Sequence, residues 1–286
     1  MFNETYELPN GIKIPKLGLG TWMLDNTQAA QAVHEAVSMG YRHIDTAQAY
    51  LNETGVGVGI RTAGVERENL FITTKVAAEA KTYKEVTESI EESLAKLKLD
   101  YIDLLLVHSP QPWDKFRDEE QRYFEENRQV WSAMEAAYES GKVKAIGLSN
   151  FQRDDIENIL STCNVKPMVN QILAHVSNTP FELITFCQTN EILVEAYSPI
   201  AHGAILKNET IKKIADKYDV TVAQLCLRYN LQLGLVVIPK TSNPDHMKNN
   251  GDLDFVINAT DMHLLKTIET IQSYGEDGFF PVFAGK

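Results

Sequence analysis

GYRHIDTAQAYLNETGVG, residues 40–57, holds one full unit of the pattern from which the chain is built. Gly40 closes a helical periodicity running from Thr27 to Met39, HIDTA reads as a short apolar strand, Tyr50 falls in the loop beyond it, and a second helix is expected from near Glu53. The unit sets Asp45 at a strand end and Tyr50 five residues later. A phenol, with a pKa of about 10, keeps its proton at neutral pH and can act as a general acid when a nearby ammonium eases its release. The GVGVG run at 55–59 is no dinucleotide fingerprint, because Ile60 occupies the place of the last glycine and no strand directly precedes the run. Small residues there suit close helix packing instead.

Working outward, the same alternation recurs. TYEL and IKIPK flank a Pro9-Asn10-Gly11 turn and predict a hairpin over residues 5–16. LGLGTW at 17–22 is the first short apolar strand, HIDTA the second and NLFITTKV at 69–76 the third. A helical stretch, TYKEVTESIEESLAKLKL, separates these from YIDLLLV at 101–107, whose unbroken apolar character suits a parallel strand buried on both faces. VKAIGLSNF at 143–151, MVNQI at 168–172, ILVEAYSPI at 192–200 and LVVIPKT at 235–241 complete eight strands interleaved with helices. That order predicts an α/β protein, a (β/α)8 TIM barrel closed at the bottom by the N-terminal hairpin, with residues 1–286 forming a single domain. The polar stretch 110–129 reads as a loop with solvated charges that can also shape a pocket rim.

A formal charge of −12 argues against nucleic acid as a partner. Cys163, Cys187 and Cys226 are an odd set without CxxC spacing, as expected of free thiols in a reducing compartment. The start of the chain lacks the basic and apolar regions of a secretory peptide, and no run approaches the ~20 apolar residues of a membrane span. The expectation is a soluble, cytoplasmic protein with no membrane association.

The residues that interrupt the apolar strands share one address. Asp45, Lys75, His108, Ser149 with Asn150, Gln171, Tyr197 with Ser198, and Lys240 all stand at carboxyl ends of successive strands. In a (β/α)8 barrel those ends converge on the catalytic face. An Asp, a Lys, a Tyr and a His brought together form an acid–base unit tuned by mutual charge. His43, His108, His175 and His202 lack the spacing of a metal cluster, which weighs against a metal-dependent hydrolase, and no metal is expected.

The 40–57 string also resembles a family signature. GYRHIDTA followed by Glu53, Val56 and Gly57 at these intervals is similar to the first signature of the aldo-keto reductases. TTKV, DLLLVHSP, AIGLSNF, NQI, AYSP and VVIPKT extend the likeness over nearly the whole chain, in the shorter, bacterial-like form of the 2,5-diketo-gluconate reductase type. The resemblance implies a tetrad of Asp45, Tyr50, Lys75 and His108. Tyr50 would give a proton to a carbonyl oxygen while NADPH gives hydride to its carbon, Lys75 held by Asp45 would ease the proton off the phenol, and His108 would orient the carbonyl. It further implies that Ser149, Asn150 and Gln171 clamp the nicotinamide carboxamide and that Tyr197 stacks on the ring. Ser198 and Ile200 would line the pyrophosphate, Asp45 and Thr21 the nicotinamide ribose. Lys240, Thr241, Ser242 and Asn243, with His246, Asn249 and Asn250, would stand at the adenosine phosphate. Trp22 would join Tyr50 and His108 in the substrate pocket. The partner would be a small carbonyl compound, with no obligatory protein partner and a monomeric state. A nonenzymatic nicotinamide-binding subunit of the same superfamily is the alternative.

Several positions depart from the family's usual pattern. His246 replaces the arginine that grips the 2'-phosphate, and Asn249 replaces an acidic residue at the adenine. Arginine carries a permanent charge and a bidentate fork, whereas histidine makes one contact and is mostly neutral at pH 7, so NADPH use with weakened discrimination against NADH is expected and NAD remains possible. Ser109 and Ala77 stand where relatives carry tryptophans, implying a wider and wetter substrate pocket. Leu173 replaces a glutamate after NQI, and Phe279, Phe280 and Phe283 in the tail DGFFPVFAGK either border the substrate or pack the tail.

Overall fold

A computed structural model of the chain describes residues 1–271 and 273–284. β1 (Thr5–Glu7) and β2 (Lys13–Pro15) pair antiparallel, with Tyr6 opposite Ile14. The turn between them is left-handed at Gly11, where φ is 83°. Leu8 and Ile14 pack with Leu104, Leu106, Ala145, Val169 and Val236, so the hairpin plugs the amino-terminal end of the strands that follow.

Those strands are β3 (Gly18–Gly20), β4 (His43–Asp45), β5 (Phe71–Val76), β6 (Ile102–Val107), β7 (Val143–Ser149), β8 (Val169–Leu173), β9 (Leu193–Tyr197) and β10 (Val236–Val237). Each pairs in parallel with the next. The ring closes through parallel bridges from Leu17 to Val237 and from Gly20 to Lys240, giving the expected barrel. β10 is shorter than the sequence implies because Pro239 has no N–H for the ladder. β3 ends at Gly20; Thr21, still bonded to the Asp45 carbonyl through its N–H and hydroxyl, and Trp22 reach the mouth.

Helices α1 (Asn26–Met39), α2 (Glu53–Thr62), α3 (Tyr83–Leu97), α4 (Phe124–Glu139), α5 (Arg153–Leu160) and α6 (Phe181–Thr189) follow the first six barrel strands in turn. A 3-10 segment, Ala201–Lys207, then precedes α7 (Glu209–Asp216) and α8 (Val222–Gln232), while α9 (Pro244–Gly251) and α10 (Ala259–Lys266) follow β10. α1 opens with a reciprocal cap between Asp25 and Gln28, stops at left-handed Gly40, and turns Ala29, Ala32, Val33, Ala36 and Val37 inward. The GVGVG run lies in α2. A Cβ on Gly55 would come within 2.1 Å of the Asn26 oxygen and one on Gly57 within 2.2 Å of the Leu97 oxygen, so these glycines let α2 nest against its neighbours.

The stretch 110–129 is more ordered than a solvated loop. It turns through 3-10 residues Trp113–Lys115, takes left-handed conformations at Arg117 and Tyr123, and is helical from Phe124. Lys81, buried to 8% exposure, anchors its start by donating to the carbonyls of Ser109 and Pro110 and to Asn127 Oδ1. No described helix is long and apolar enough to cross a membrane.

Candidate active site

The centre of the site is a buried ion pair. Lys75 on β5 is fully buried, and its Nζ donates to Asp45 Oδ1 at 2.6 Å and to the Thr46 carbonyl at 2.8 Å. The Tyr50 hydroxyl lies 3.4 Å from the same Nζ, carried there by the 3-10 turn Gln48–Tyr50. Burial pulls the Lys75 ammonium down, but Asp45, Tyr50 and Glu195 outweigh it and the net direction is up, so the group stays charged. Tyr50 is raised overall because burial outweighs the Lys75 charge, with Asp45 and Glu195 adding to the rise. The lysine therefore offsets the cost of forming a phenolate here without bringing the phenol below its ordinary value. His108 directly follows β6, and its ring meets Tyr50 edge-on at 5.7 Å between centroids. Burial, aided by the Lys75 charge, holds the imidazole well below its usual pKa, so it is neutral at pH 7 and offers a single N–H.

A second layer lies across the barrel. Gln171 on β8 donates from Nε2 to Asp45 Oδ2 at 2.8 Å and to Glu195 Oε2 at 2.6 Å. Both hydrogens of its amide face these carboxyl groups, so the amide oxygen is the group of Gln171 left to accept. Asn150 is similarly engaged: Nδ2 donates to the His108 carbonyl and to Ser149 Oγ, and Oδ1 accepts from the Tyr197 hydroxyl at 2.6 Å. Asn150 and Ser198, each just past a strand, are left-handed at φ 64° and 48°. Such conformations in non-glycine residues cost energy and gather at functional sites.

These groups line a cavity of about 330 Å³ whose wall includes Thr21, Trp22, Asp45, Tyr50, His108, Ser149, Asn150, Gln171, Tyr197, Ser198, Ile200 and Lys240. Trp113, His202, Asp277, Phe280, Val282 and Phe283 also line it. Ser109 and Ala77 do not line it. Ser109 is fully buried and turns inward to accept from the Gln111 N–H, while Ala77 holds Gln48 through its own N–H. The loop after Ser109 folds back so that Trp113 stands edge-on to His108 at 5.1 Å and against Phe280 at 4.7 Å. An indole thus stands at the cavity from four positions further on.

Phe280 and Phe283 pack at 5.8 Å on Trp22, whereas Phe279 is 69% exposed; the aromatic tail both borders the cavity and packs its own segment. Gly285 and Lys286 at its end lie outside the described residues. His202 ties the tail down, pairing with Asp277 at 2.7 Å and with Ser198 Oγ at 2.8 Å. Leu173 packs into the neighbouring apolar cluster.

At the far end, Lys240 is exposed on the cavity wall, but Thr241, Ser242, Asn243, His246, Asn249 and Asn250 are not part of that wall. Asn243 caps α9, accepting from the Asp245 N–H at 2.8 Å, and Thr241 Oγ1 accepts from the Asn243 N–H. His246 and Asn249 are exposed, and Asn250 is buried beside Tyr41.

Four residues placed in or against the site escaped the sequence: Glu195, Trp113, His202 and Asn52. Asn52 is fully buried, donates to the Thr21 and Leu24 carbonyls, and accepts from Thr46, fixing the Tyr50 turn to the β3 loop. Its position inside the 40–57 signature was the available signal. Among the described residues no group of three or more His, Cys, Asp or Glu side chains is placed to hold a metal ion.

Comparison with known proteins gives consistent findings. The profile of the Aldo/keto reductase family matches residues 16–270. The glyoxal reductase of Bacillus subtilis is 40% identical over 274 residues, 95% of each chain. A methylglyoxal reductase of Salmonella typhimurium is 37% identical over 282 residues, covering 97% of this chain and 98% of its own. The crystal structure of a Bombyx mori aldo-keto reductase in complex with NADP superposes with a TM-score of 0.87 at 33% identity over 96% of each chain.

Proposed function

The chain is a member of the aldo/keto reductase family, and from that premise we propose that it reduces small carbonyl compounds to alcohols with NAD(P)H, using Tyr50 as proton donor. The single observation that carries this reading is the Lys75 ammonium, fully buried, 2.6 Å from Asp45 and 3.4 Å from the Tyr50 hydroxyl. A reduced nicotinamide, when bound, supplies hydride to the carbonyl carbon. The chain's own residues then do the rest. Tyr50 gives its proton to the carbonyl oxygen, Lys75 stabilises the phenolate left behind, Asp45 keeps Lys75 in place, and neutral His108 donates a hydrogen bond that aims the carbonyl.

The residues fit such a cofactor. The cavity wall runs continuously from Lys240 through Ser198 and Tyr197 to Tyr50 and His108. Tyr197 would stack on the nicotinamide, with Ser149, Asn150 and the Gln171 oxygen at its carboxamide, Thr21 and Asp45 at the ribose, and Ser198 and Ile200 along the pyrophosphate. Lys240 would meet the 2'-phosphate, with Thr241, Ser242, Asn243, His246, Asn249 and Asn250 around the adenosine. One exposed cation in place of an arginine clamp supports NADPH as the preferred cofactor with weak discrimination against NADH. The aromatic enclosure by Trp22, Trp113 and Phe280, together with likeness to reductases of glyoxal and methylglyoxal, supports short dicarbonyls and aldehydes as the substrate class. Residues 1–286 would act as one barrel domain in the cytoplasm, a reducing setting that suits three free cysteines.

The test is NADPH oxidation by purified protein with methylglyoxal, hydroxyacetone and simple aldehydes, with and without chelator. Turnover unaffected by chelator is expected. Tyr50→Phe should lower kcat by about 100-fold or more while cofactor binding stays within about twofold. Undiminished turnover in that variant would remove Tyr50 from its role.

A further inference from the structure

Beneath the tetrad, the barrel interior holds a second carboxyl group that the reaction as described does not use. Glu195, in the middle of β9, is fully buried. Its Oε2 accepts from the same Gln171 nitrogen that donates to Asp45, and its Oε1 has no hydrogen-bond partner, lying 3.6 Å from His43 Nε2. His43 is itself neutral, its pKa pushed by burial down to about 3, and its Nε2 is engaged with Thr73 at 3.0 Å. The groups facing Glu195 are therefore Asp45 and neutral His43 from β4, Lys75 from β5, Tyr50 from the turn above and the Gln171 amide from β8. On β10 its paired residue is Val236. Two carboxyl groups thus share one ammonium, and Lys75 bonds directly only to Asp45. A second carboxylate without its own cation is costly in a low-dielectric interior.

We propose that Glu195 is a positioning residue for this reaction: it holds the Gln171 amide by its nitrogen, leaving the oxygen to receive the cofactor's carboxamide, and by keeping its own proton it spares Tyr50 a second buried anion while the phenol gives up its proton. Burial pushes the Asp45 carboxyl up against the pull of Lys75 and Gln171; its direct pairing with Lys75 sets a nitrogen of Gln171 to face it, and the contact with Glu195 fixes the second hydrogen of that nitrogen. The amide cannot then rotate to turn its nitrogen toward the cavity without losing both bonds. Charge acts in the same direction. Glu195 is pushed up to about 8, first by burial and next by the Asp45 charge, against the pull of Gln171 and Lys75, so it is largely protonated at neutral pH. Once ionised, it would add to the negative field that already raises Tyr50, making the phenol a poorer acid. Its folded pKa lies above the ordinary 4.5, so its contribution to stability is complete in acid below that value and is lost as pH rises through about 8.

This inference rests on the reductase reading, and its test separates the two. Cofactor affinity is measured by quenching of tryptophan fluorescence on titration with NADPH, and kcat is followed with methylglyoxal from pH 6 to 9.5, with melting curves on each variant. For the unmodified protein, kcat is expected to fall across pH ~8. Glu195→Gln keeps the hydrogen bond to Gln171 but cannot ionise; it should retain cofactor affinity within about twofold and lose the fall at pH ~8. Glu195→Leu removes the bond and should weaken NADPH binding about tenfold at every pH. An unchanged alkaline fall in Glu195→Gln, or unchanged NADPH affinity in folded Glu195→Leu, overturns the proposal. Protein that binds NADPH yet reduces no carbonyl overturns the reductase reading instead, and the affinity titration still decides the Gln171 role.

Discussion

At one end of the cavity a lysine is fully buried, bonded to a carboxylate and a carbonyl, and within reach of a phenol; at the other, Lys240 stands exposed beside a helix whose first polar residues cap that same helix. Both ends are built around one cation, but they differ in what surrounds it. The inner cation is shielded from water and salt by the protein, so its field on Tyr50 and Asp45 is screened much less. The outer one is screened by water and salt within roughly 10 Å. On the proposed function, the difference means that this barrel would commit its buried, fixed cation to proton transfer and leave cofactor choice to an exposed one.

The largest expected effect comes from exchanging each lysine for methionine. Lys75→Met strands Asp45 in the interior beside Glu195, and breaking a buried pair from one side costs about 3–5 kcal/mol, so the melting temperature should drop steeply. Turnover should fall by about 1,000-fold as Tyr50 loses its counter-charge. Lys240→Met should leave the melting temperature nearly unchanged and raise KM for NADPH about tenfold at low salt, with little change for NADH. Equal losses of stability in the two variants would break the contrast.

A smaller effect sharpens it from the outer end. His246 is exposed near the start of α9 and can offer one N–H where an arginine would offer a charged fork. His246→Arg should raise the NADPH-over-NADH ratio of kcat/KM by about tenfold at low salt, and the gain should shrink as salt rises. A gain that persists in high salt would place the contact in a drier site than this exposed helix start provides.

The same contrast governs what could be read from the chain. Asp45, Lys75, His108 and Tyr197 were legible because each is a polar residue at or just past the end of an apolar strand, and a closed parallel barrel brings all such ends together whatever their distance along the chain; Gln171, expected at a strand end, stands in the middle of β8 in register with Glu195. Glu195 stands in the middle of LVEAY, where a lone acidic letter reads as the solvent face of an alternating strand; only barrel closure turns that face inward. Trp113 lies in a stretch rich in charge, and its placement depends on a backward fold set by Lys81 and the Ser109 turn. The His202 contact with Asp277 joins residues 75 positions apart through tail geometry that no local pattern carries. The last strand's end was misjudged because Pro239 has no N–H for the ladder.

Trp113 gives the smallest effect and bears on the inner end alone. Its ring closes the cavity over His108 and against Phe280, taking the place that Ser109 leaves empty of an indole. It touches no charged member of the tetrad, so its contribution lies in enclosing a substrate and not in moving a proton. Trp113→Ala should raise KM for methylglyoxal a few-fold, about 1 kcal/mol of lost apolar contact, with kcat nearly unchanged. The same change should improve the relative kcat/KM of bulkier aldehydes, since the space vacated lies directly beside the imidazole. A fall in kcat as large as that in KM would mean instead that the indole holds His108 in its working orientation, and the rim would then belong with the rigid inner end of the cavity.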